Sequence, residues 1–394
     1  MSTTLTTTSL DQIIDNSNVE PRPYQARIVN KAYQMYNGTF VHEQTGALQP
    51  QLDSLMIESP TGSGKTVMAL LIAKMLQADD PDLVIAWVAM RRNLLGQSAR
   101  ENAKKGINIE NAHWVSMFDH NPVGLVEAKK AGKKILMIID EAQHDAASSM
   151  AHLHNVIKPD YVLGMTATPF RTDRMKLCFQ KVIKDCGIHQ LIQDGYLAPY
   201  HHYTIPQWTI KEVADHYCAD VEKWGKSIFF FLTLDECFQF SEELIKRGVR
   251  HEVVRGGQQK VTDRQLDRFE NNEIDVLVNC MVLTEGFDCP SLKTAWIRDS
   301  TKGPTMQMAG RAFRQHPDFS HKQVVQSKMT AWPFAKTALP DEQYLFISNE
   351  WRSLKLNPKI NDISTNTLQA IAATEVIMPQ FVINNRKKSV KIKF

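Results

Sequence analysis

Five runs in the first half of the chain are apolar along most of their length: SLMIES (54–59), LVIAWVA (83–89), AHWVSM (112–117), KILMIID (134–140) and YVLGMT (161–166). A strand with one wet face alternates apolar and polar residues. A strand apolar throughout is buried on both faces, which requires a parallel sheet covered by helices on either side. Amphipathic stretches at 65–78 and 93–105 supply such helices. The rhythm pauses over GIHQLIQDGYLAPYHHYTIPQWTI (187–210). It resumes with SIFFFLT (227–233), a helix expected over 235–247, HEVVRG (251–256), a helix over 262–271, IDVLVNC (274–280) and KTAWIRD (293–299). The expected fold class is therefore α/β, with two tandem lobes that each carry a parallel sheet between helices. Residues 1–18 are polar and expected to lack order. The first lobe is expected over 19–200, the second over 201–320, and an extension packing on the second lobe over 321–394. Within that extension 341–354 reads as a helix and 374–383 as a strand.

The length of 394 residues suits two or three domains, and the 43% hydrophobic and 23% charged content is ordinary for a globular chain. A net charge of +3 does not by itself call for a polyanionic partner. The charge is uneven, however: RKKSVKIKF (386–394) holds five bases and no acid. Cys178, Cys186 and His189 fit no usual zinc spacing, and no CxxC pair occurs, so the six cysteines read as thiols of a reducing compartment. The start, MSTTLTTTSL, lacks the basic residues and apolar core of a targeting segment. No apolar stretch approaches the ~18 residues of a membrane span. A cytoplasmic protein is expected, with no membrane contact.

SPTGSGKT (59–66) lies between the strand run LMIE and the helix-like VMALLIAKML. That context suits a phosphate-binding loop. Gly62 and Gly64 let backbone amides converge with no Cβ in the way, and the following helix start favours an anion. Lys65 would reach phosphate and the Thr66 hydroxyl would ligate Mg²⁺. Ser59 stands where the usual pattern has its first glycine. The run KILMIID then delivers Asp140 and Glu141 to the carboxyl end of a strand, where open parallel sheets bind ligands. A capping Asp followed by a first-turn Glu would look the same. The phosphate loop upstream favours a metal ligand and a water-polarising base instead.

The motifs occur in an ordered series. RPYQARIV (22–29) is followed by SPTGSGKT, VAMRRNLLGQ (88–97), DEAQH (140–144), TATPFR (166–171), SIFFFLTLDECFQF (227–240), LTEGFDCP (283–290) and QMAGRAFR (307–314). The series resembles superfamily 2 helicases and translocases of the DEAx-H type, from about Arg22 to Arg314. TATP and QMAGR depart from the DEAD-box RNA helicase spellings, and QLIQDGYLAPY (190–200) and TEGFDCP (284–290) are similar to DNA-acting members, such as RadD-like and phage branch-migration helicases.

The resemblance implies RecA-like lobes with ATP and Mg²⁺ in the cleft between them. ATP contacts would come from Arg22, Gln25 (to adenine), Thr61, Gly62, Ser63, Gly64, Lys65, Thr66, Gly286 and Asp288. The metal would sit on Thr66 and Asp140. Catalysis would fall to Lys65, Asp140, Glu141, Gln307, Arg311 and Arg314. Arg314 is the expected arginine finger and Arg311 its partner, placed on one helix face by their i,i+3 spacing, with Gly310 beside them allowing close approach. His144, Thr166 and Thr168 would couple the sites. Arg91, Gln97, Arg171 and Thr284 would touch a nucleic-acid backbone. The implied partner is DNA (single-stranded, duplex or branched), handled by a monomeric motor in a bacterial or phage-infected cell. An RNA helicase with the same chemistry and a non-hydrolysing binding module are the alternatives. Trp208, Trp224 and Trp332 are candidate strand-separating wedges that read more simply as core or interface aromatics.

Overall fold

The computed structural model describes residues 9–144, 148–167, 179–283, 287 and 289–354, with all their side chains except those of Asn93, His144 and Gln259. The proposed site residues Thr168, Arg171, Thr284, Gly286 and Asp288 lie outside these residues, as do the strand expected at 374–383 and the basic tail.

The apolar runs form strands in two sheets. The first contains β1 (Ser54–Glu58), β2 (Val84–Ala89), β3 (Ala112–Ser116), β4 (Ile135–Asp140), β5 (Tyr161–Thr166) and β6 (Lys181–Ile183), in the order β3-β2-β4-β5-β1-β6. Every pairing in it is parallel. Its crossovers are α3 (Lys65–Asp79), α4 (Arg92–Lys104), α5 (Val123–Lys130) and α6 (Ser148–Ile157), with α1 (Leu10–Asp15) and α2 (Pro23–Tyr36) packed on α3. Residues 10–15 therefore depart from the expected disorder. A capping box between Ser9 and Gln12 closes the helix start, and Leu10 and Ile13 are buried. Six residues are too few to show a period in sequence.

After β6, α7 (Ile188–Gln193) leads into the second sheet. Its strands are β7 (Tyr200–Ile205), β8 (Ser227–Phe231), β9 (His251–Val254), β10 (Val276–Cys280), β11 (Thr294–Ile297), β12 (Lys322–Ser327), β13 (Glu342–Ile347) and β14 (Glu350–Ser353). The order is β14-β13-β7-β12-β11-β8-β10-β9. Helices α8 (Ile210–Cys218), α9 (Val221–Trp224), α10 (Leu234–Lys246), α11 (Gln259–Glu270) and α12 (Lys302–Gly310) accompany it.

Two expectations change here. Residues 322–353 are not an extension packed on the second lobe but supply three strands of its sheet. KQVVQS hid this because its ends are polar, yet Lys322 is buried with its ammonium donating to the carbonyls of Pro290 and Leu292 at 2.7 and 2.6 Å. The helix expected at 341–354 is instead the antiparallel hairpin β13–β14. Ser348 and Asn349 both adopt positive φ (53° and 61°), with Ile347 paired to Glu350 across them. Two such residues make the tight primed turn that fits strand twist, and Tyr344, Phe346 and Trp351 favour strands.

The candidate nucleotide site between the lobes

The loop after β1 holds its shape through two glycines. Gly62 (φ 86°) and Gly64 (φ 77°) sit in the left-handed region, and a Cβ on either would overlap a neighbour: the Arg314 guanidinium at Gly62 and the Gln25 amide at Gly64. Ser59 N donates to Thr166 O at 2.9 Å, tying the loop to the end of β5. Lys65 opens α3, and its ammonium donates to the Ser59 and Pro60 carbonyls at 3.2 and 3.3 Å. Burial lowers the Lys65 pKa, the nearby Glu141 and Asp140 carboxylates push it back up, and Arg311 and Arg314 lower it further. The Ser63 hydroxyl is buried and, among the described residues, has no hydrogen-bond partner. Such an orphan group, beside the free amides that open a helix, suits an incoming anion. The residues present therefore fit the phosphates of a nucleotide.

The two acids are delivered as their strand predicted. β4 ends at Asp140, and Glu141 follows with φ 55°, a costly conformation for a side-chain-bearing residue. Asp140 Oδ1 accepts from Glu141 N at 3.0 Å. Gln143 Nε2 donates to Glu141 Oε2 at 3.1 Å, and Thr166 Oγ1 donates to Gln143 Oε1 at 2.6 Å. A relay thus runs from the end of β5 to the carboxylate. Thr166, expected to couple the sites, stands at one end of it, and Gln143, which sequence reasoning passed over, is its middle member. Gln143 occupies the variable place in DEAQH, so only its position between the acids and the histidine could have pointed to it.

Gln25, expected at the adenine, is also bonded to the phosphate loop. It is buried, its Oε1 accepts from Arg22 N at 2.9 Å, and its Nε2 donates to Ser63 O at 2.8 Å. Tyr24 Oη donates to the same carbonyl at 2.6 Å. Gln25 thus braces the phosphate loop. Arg22 lies over the Tyr196 ring at 4.8 Å, and Tyr24 meets that ring edge-on at 5.7 Å. A cavity of about 240 Å³ opens between Tyr24 and Tyr196.

The second lobe closes on this loop. Gly310 faces Thr61, and an added Cβ would stand 3.1 Å from the Thr61 Cβ, so the close approach expected of this glycine is present. The shared helix face is not. α12 ends at Gly310, Arg311 is its cap, and Arg314 lies beyond the helix. Arg311 is buried, with Nη1 donating to Phe287 O at 2.8 Å, while Arg314 reaches Gly62. A non-helical exit lets the two guanidinia diverge, one into the lobe and one across the cleft. Gln307 sits partly exposed on α12. Ala198 N donates to Phe313 O at 2.9 Å, and Gln315 Nε2 donates to Gly195 O, so the GYLAP segment is bonded to the stretch that bears the arginines. Arg91 Nη2 donates to Val282 O across the lobes, and Gln97 is exposed on α4.

A phosphate loop, two acids at a strand end and arginines from a second lobe define a two-lobe nucleotide-binding fold. Residues 18–171 match the family described as type III restriction enzyme, res subunit, and residues 208–316 match the helicase conserved C-terminal domain. The chain belongs to the superfamily 2 helicases. It is 26% identical to a 51.5 kDa protein of a Lactococcus phage, over 66% of this chain and 63% of that protein. It is 22% identical to a Saccharomyces cerevisiae protein named for ATP-dependent helicase activity, IRC3, over 82% of this chain and 55% of that protein. The chain thus spans less than two thirds of either relative. Among solved structures, Saccharomyces cerevisiae Dbp5 bound to RNA and ADP BeF3 superposes with a TM-score of 0.54 at 14% identity, covering 86% of this chain and 95% of that one. The type ISP restriction-modification enzyme LlaBIII bound to DNA gives 0.54 at 16% identity, covering 80% and 28%. These likenesses bear on fold alone. No helix among the described residues is long and apolar enough to cross a membrane.

Proposed function

We propose that the chain is a nucleic-acid-stimulated ATPase that moves on or remodels DNA. The observation that carries this is the meeting, at the loop that bears Lys65, of the Asp140–Glu141 carboxylates from the first lobe and the Arg314 guanidinium from the second. Thr66 and Asp140 are the residues that would hold Mg²⁺, which supplies charge neutralisation on the phosphates when bound. Lys65 and the α3 amides bind the phosphates, and the purine fits the cavity between Tyr24 and Tyr196. Glu141, held by Gln143, orients water. Arg314 is the group whose approach depends on lobe closure, and that dependence links hydrolysis to movement. The motif spellings TATP and QMAGR support DNA. The second reading is an RNA helicase with the same chemistry, a substrate class that Dbp5, which shares the fold, was solved with.

ATP turnover measured with single-stranded DNA, forked DNA and RNA tests both. The DNA proposal expects the largest stimulation from a DNA arm. A clear RNA preference would overturn the choice of substrate, and full stimulated turnover by Lys65→Ala would overturn the site.

A further inference from the structure

A cluster of cations and apolar side chains outside the motif series lies on the loop after β12. Met329 is 80% exposed. Trp332 is half-buried, with the ammonium groups of Lys302 and Lys336 at 5.4 and 5.6 Å from its ring centroid. Lys302, Lys328 and Lys336 are exposed, and among the described residues none of the three forms an ion pair. Against these three lysines stands the Asp299 carboxylate, whose Oδ1 accepts from Ala331 N at 2.6 Å and from Thr330 Oγ1 at 3.2 Å, so the positive charges outnumber it. The surface is therefore cationic with an aromatic centre, a combination that suits a strand offering both phosphates and base faces.

Its position points the same way. Val325, Trp296, Phe229 and Val278 are register partners across β12, β11, β8 and β10. Lys328, Asp299, Leu232 and Met281, three residues further along each, leave the sheet at one level. Leu232 and Met281 are 56% and 63% exposed, which makes this edge unusually apolar for a surface. Arg91 joins the same edge to the first lobe at Val282.

The loop is also joined to the arginine segment. Phe334 is fully buried and stacks on Phe313, between Arg311 and Arg314, with centroids 5.2 Å apart. Gln326 braces it, accepting from Phe334 N at 2.7 Å and donating to Trp332 O at 3.2 Å.

We infer that residues 328–336, with Lys302, form an accessory contact for single-stranded nucleic acid. The lysines hold phosphates, Met329 and Trp332 meet a base, and Phe334–Phe313 carries the contact to the arginine segment. The inference rests on the nucleic-acid reading above.

The test is binding of fluorescein-labelled oligothymidylate and oligouridylate, across a salt series, with stimulated ATP turnover of each variant referred to its own rate without nucleic acid. Lys302→Ala with Lys336→Ala should weaken binding at least about tenfold and reduce the log–log salt slope by about 1.4, at ~0.7 per phosphate contact. Both side chains are exposed, so thermal unfolding should not move. Trp332→Ala should weaken binding about tenfold, with Trp332→Phe restoring most of it. Wild-type binding with unchanged affinity and slope in the lysine variant would overturn the inference alone. A wild-type protein that neither binds nor responds to either oligonucleotide would overturn the reading beneath it as well. Loss confined to oligouridylate would keep the contact and reassign the substrate.

Discussion

The first lobe fills its sheet with aliphatic and thioether side chains, such as Met56, Ile57, Met137, Ile138 and Met165. The second fills one face of its sheet with rings: Phe229 stacks on Trp296 at 5.1 Å, Trp224 meets Trp296 at 4.9 Å, and Tyr203 stacks on Tyr344 at 4.7 Å. Around this core three rings, of Tyr203, Trp224 and Trp351, enclose the Lys223 ammonium at 4.5 to 4.7 Å. The difference follows the chemistry each lobe carries. The first holds Lys65, Asp140 and Glu141 on adjoining strand ends, so local turns position them. The second holds Arg314 beyond the end of a helix through the opposite face of its sheet, where Phe313 packs on Tyr200 and Phe334.

The comparison is tested most severely at the cleft. Arg314→Ala should lower kcat by about 10³-fold or more while ATP binding survives, as for a charge met in the transition state. Lys65→Ala should lose binding and turnover together. Equal losses of ATP affinity in both variants would erase the division of labour between the lobes.

Core truncation comes next. Trp224→Ala should cost ~3–5 kcal/mol, read as the shift in urea midpoint. Met137→Ala should cost ~2–3 kcal/mol, because neighbouring thioethers adapt to a gap. A larger loss at Met137 would break the contrast between a rigid and an adaptable core.

Within the first lobe, Gln143→Ala removes the hydrogen bond that orients Glu141. A bond to a charged group is worth ~1.5–3 kcal/mol, so kcat should fall by about 10- to 150-fold, with ATP affinity kept. An unchanged kcat would leave Glu141 oriented by its own strained backbone.

The most gradual effect is a pH dependence in the second lobe. Burial lowers the Lys322 pKa to about 8, below its value in the unfolded chain. The folded state therefore penalises the protonated lysine fully below pH 8 and relaxes as pH rises toward the unfolded value of about 10.4. Relative to Lys322→Met, the wild type should gain stability across that window, by no more than ~1 kcal/mol per pH unit. A difference that shrinks or stays flat would show that the two carbonyls fully offset the burial.

Much of this architecture was legible. Runs apolar on both faces gave each core strand of the first lobe to within a residue or two, and SPTGSGKT marks its loop from local sequence. Legibility failed where burial was satisfied by polar means or where elements were short. β12 carries Lys322, Gln323 and Gln326, all buried, so its composition reads as surface. The hairpin β13–β14 alternates weakly and turns on Ser348 and Asn349 rather than on glycine. α1 is shorter than two turns.

The sequence alone determined the α/β class, the phosphate loop and the acid pair, because these depend on residues adjacent in the chain and on a period that burial imposes. Tertiary structure alone decided the rest. Gln25 braces Ser63, Gln143 connects Thr166 to Glu141, and Arg314 reaches Gly62 from a segment that has left its helix. Each is a contact between residues distant in sequence or freed from regular geometry, and no local spacing encodes which side chains will meet when two sheets close on one cleft.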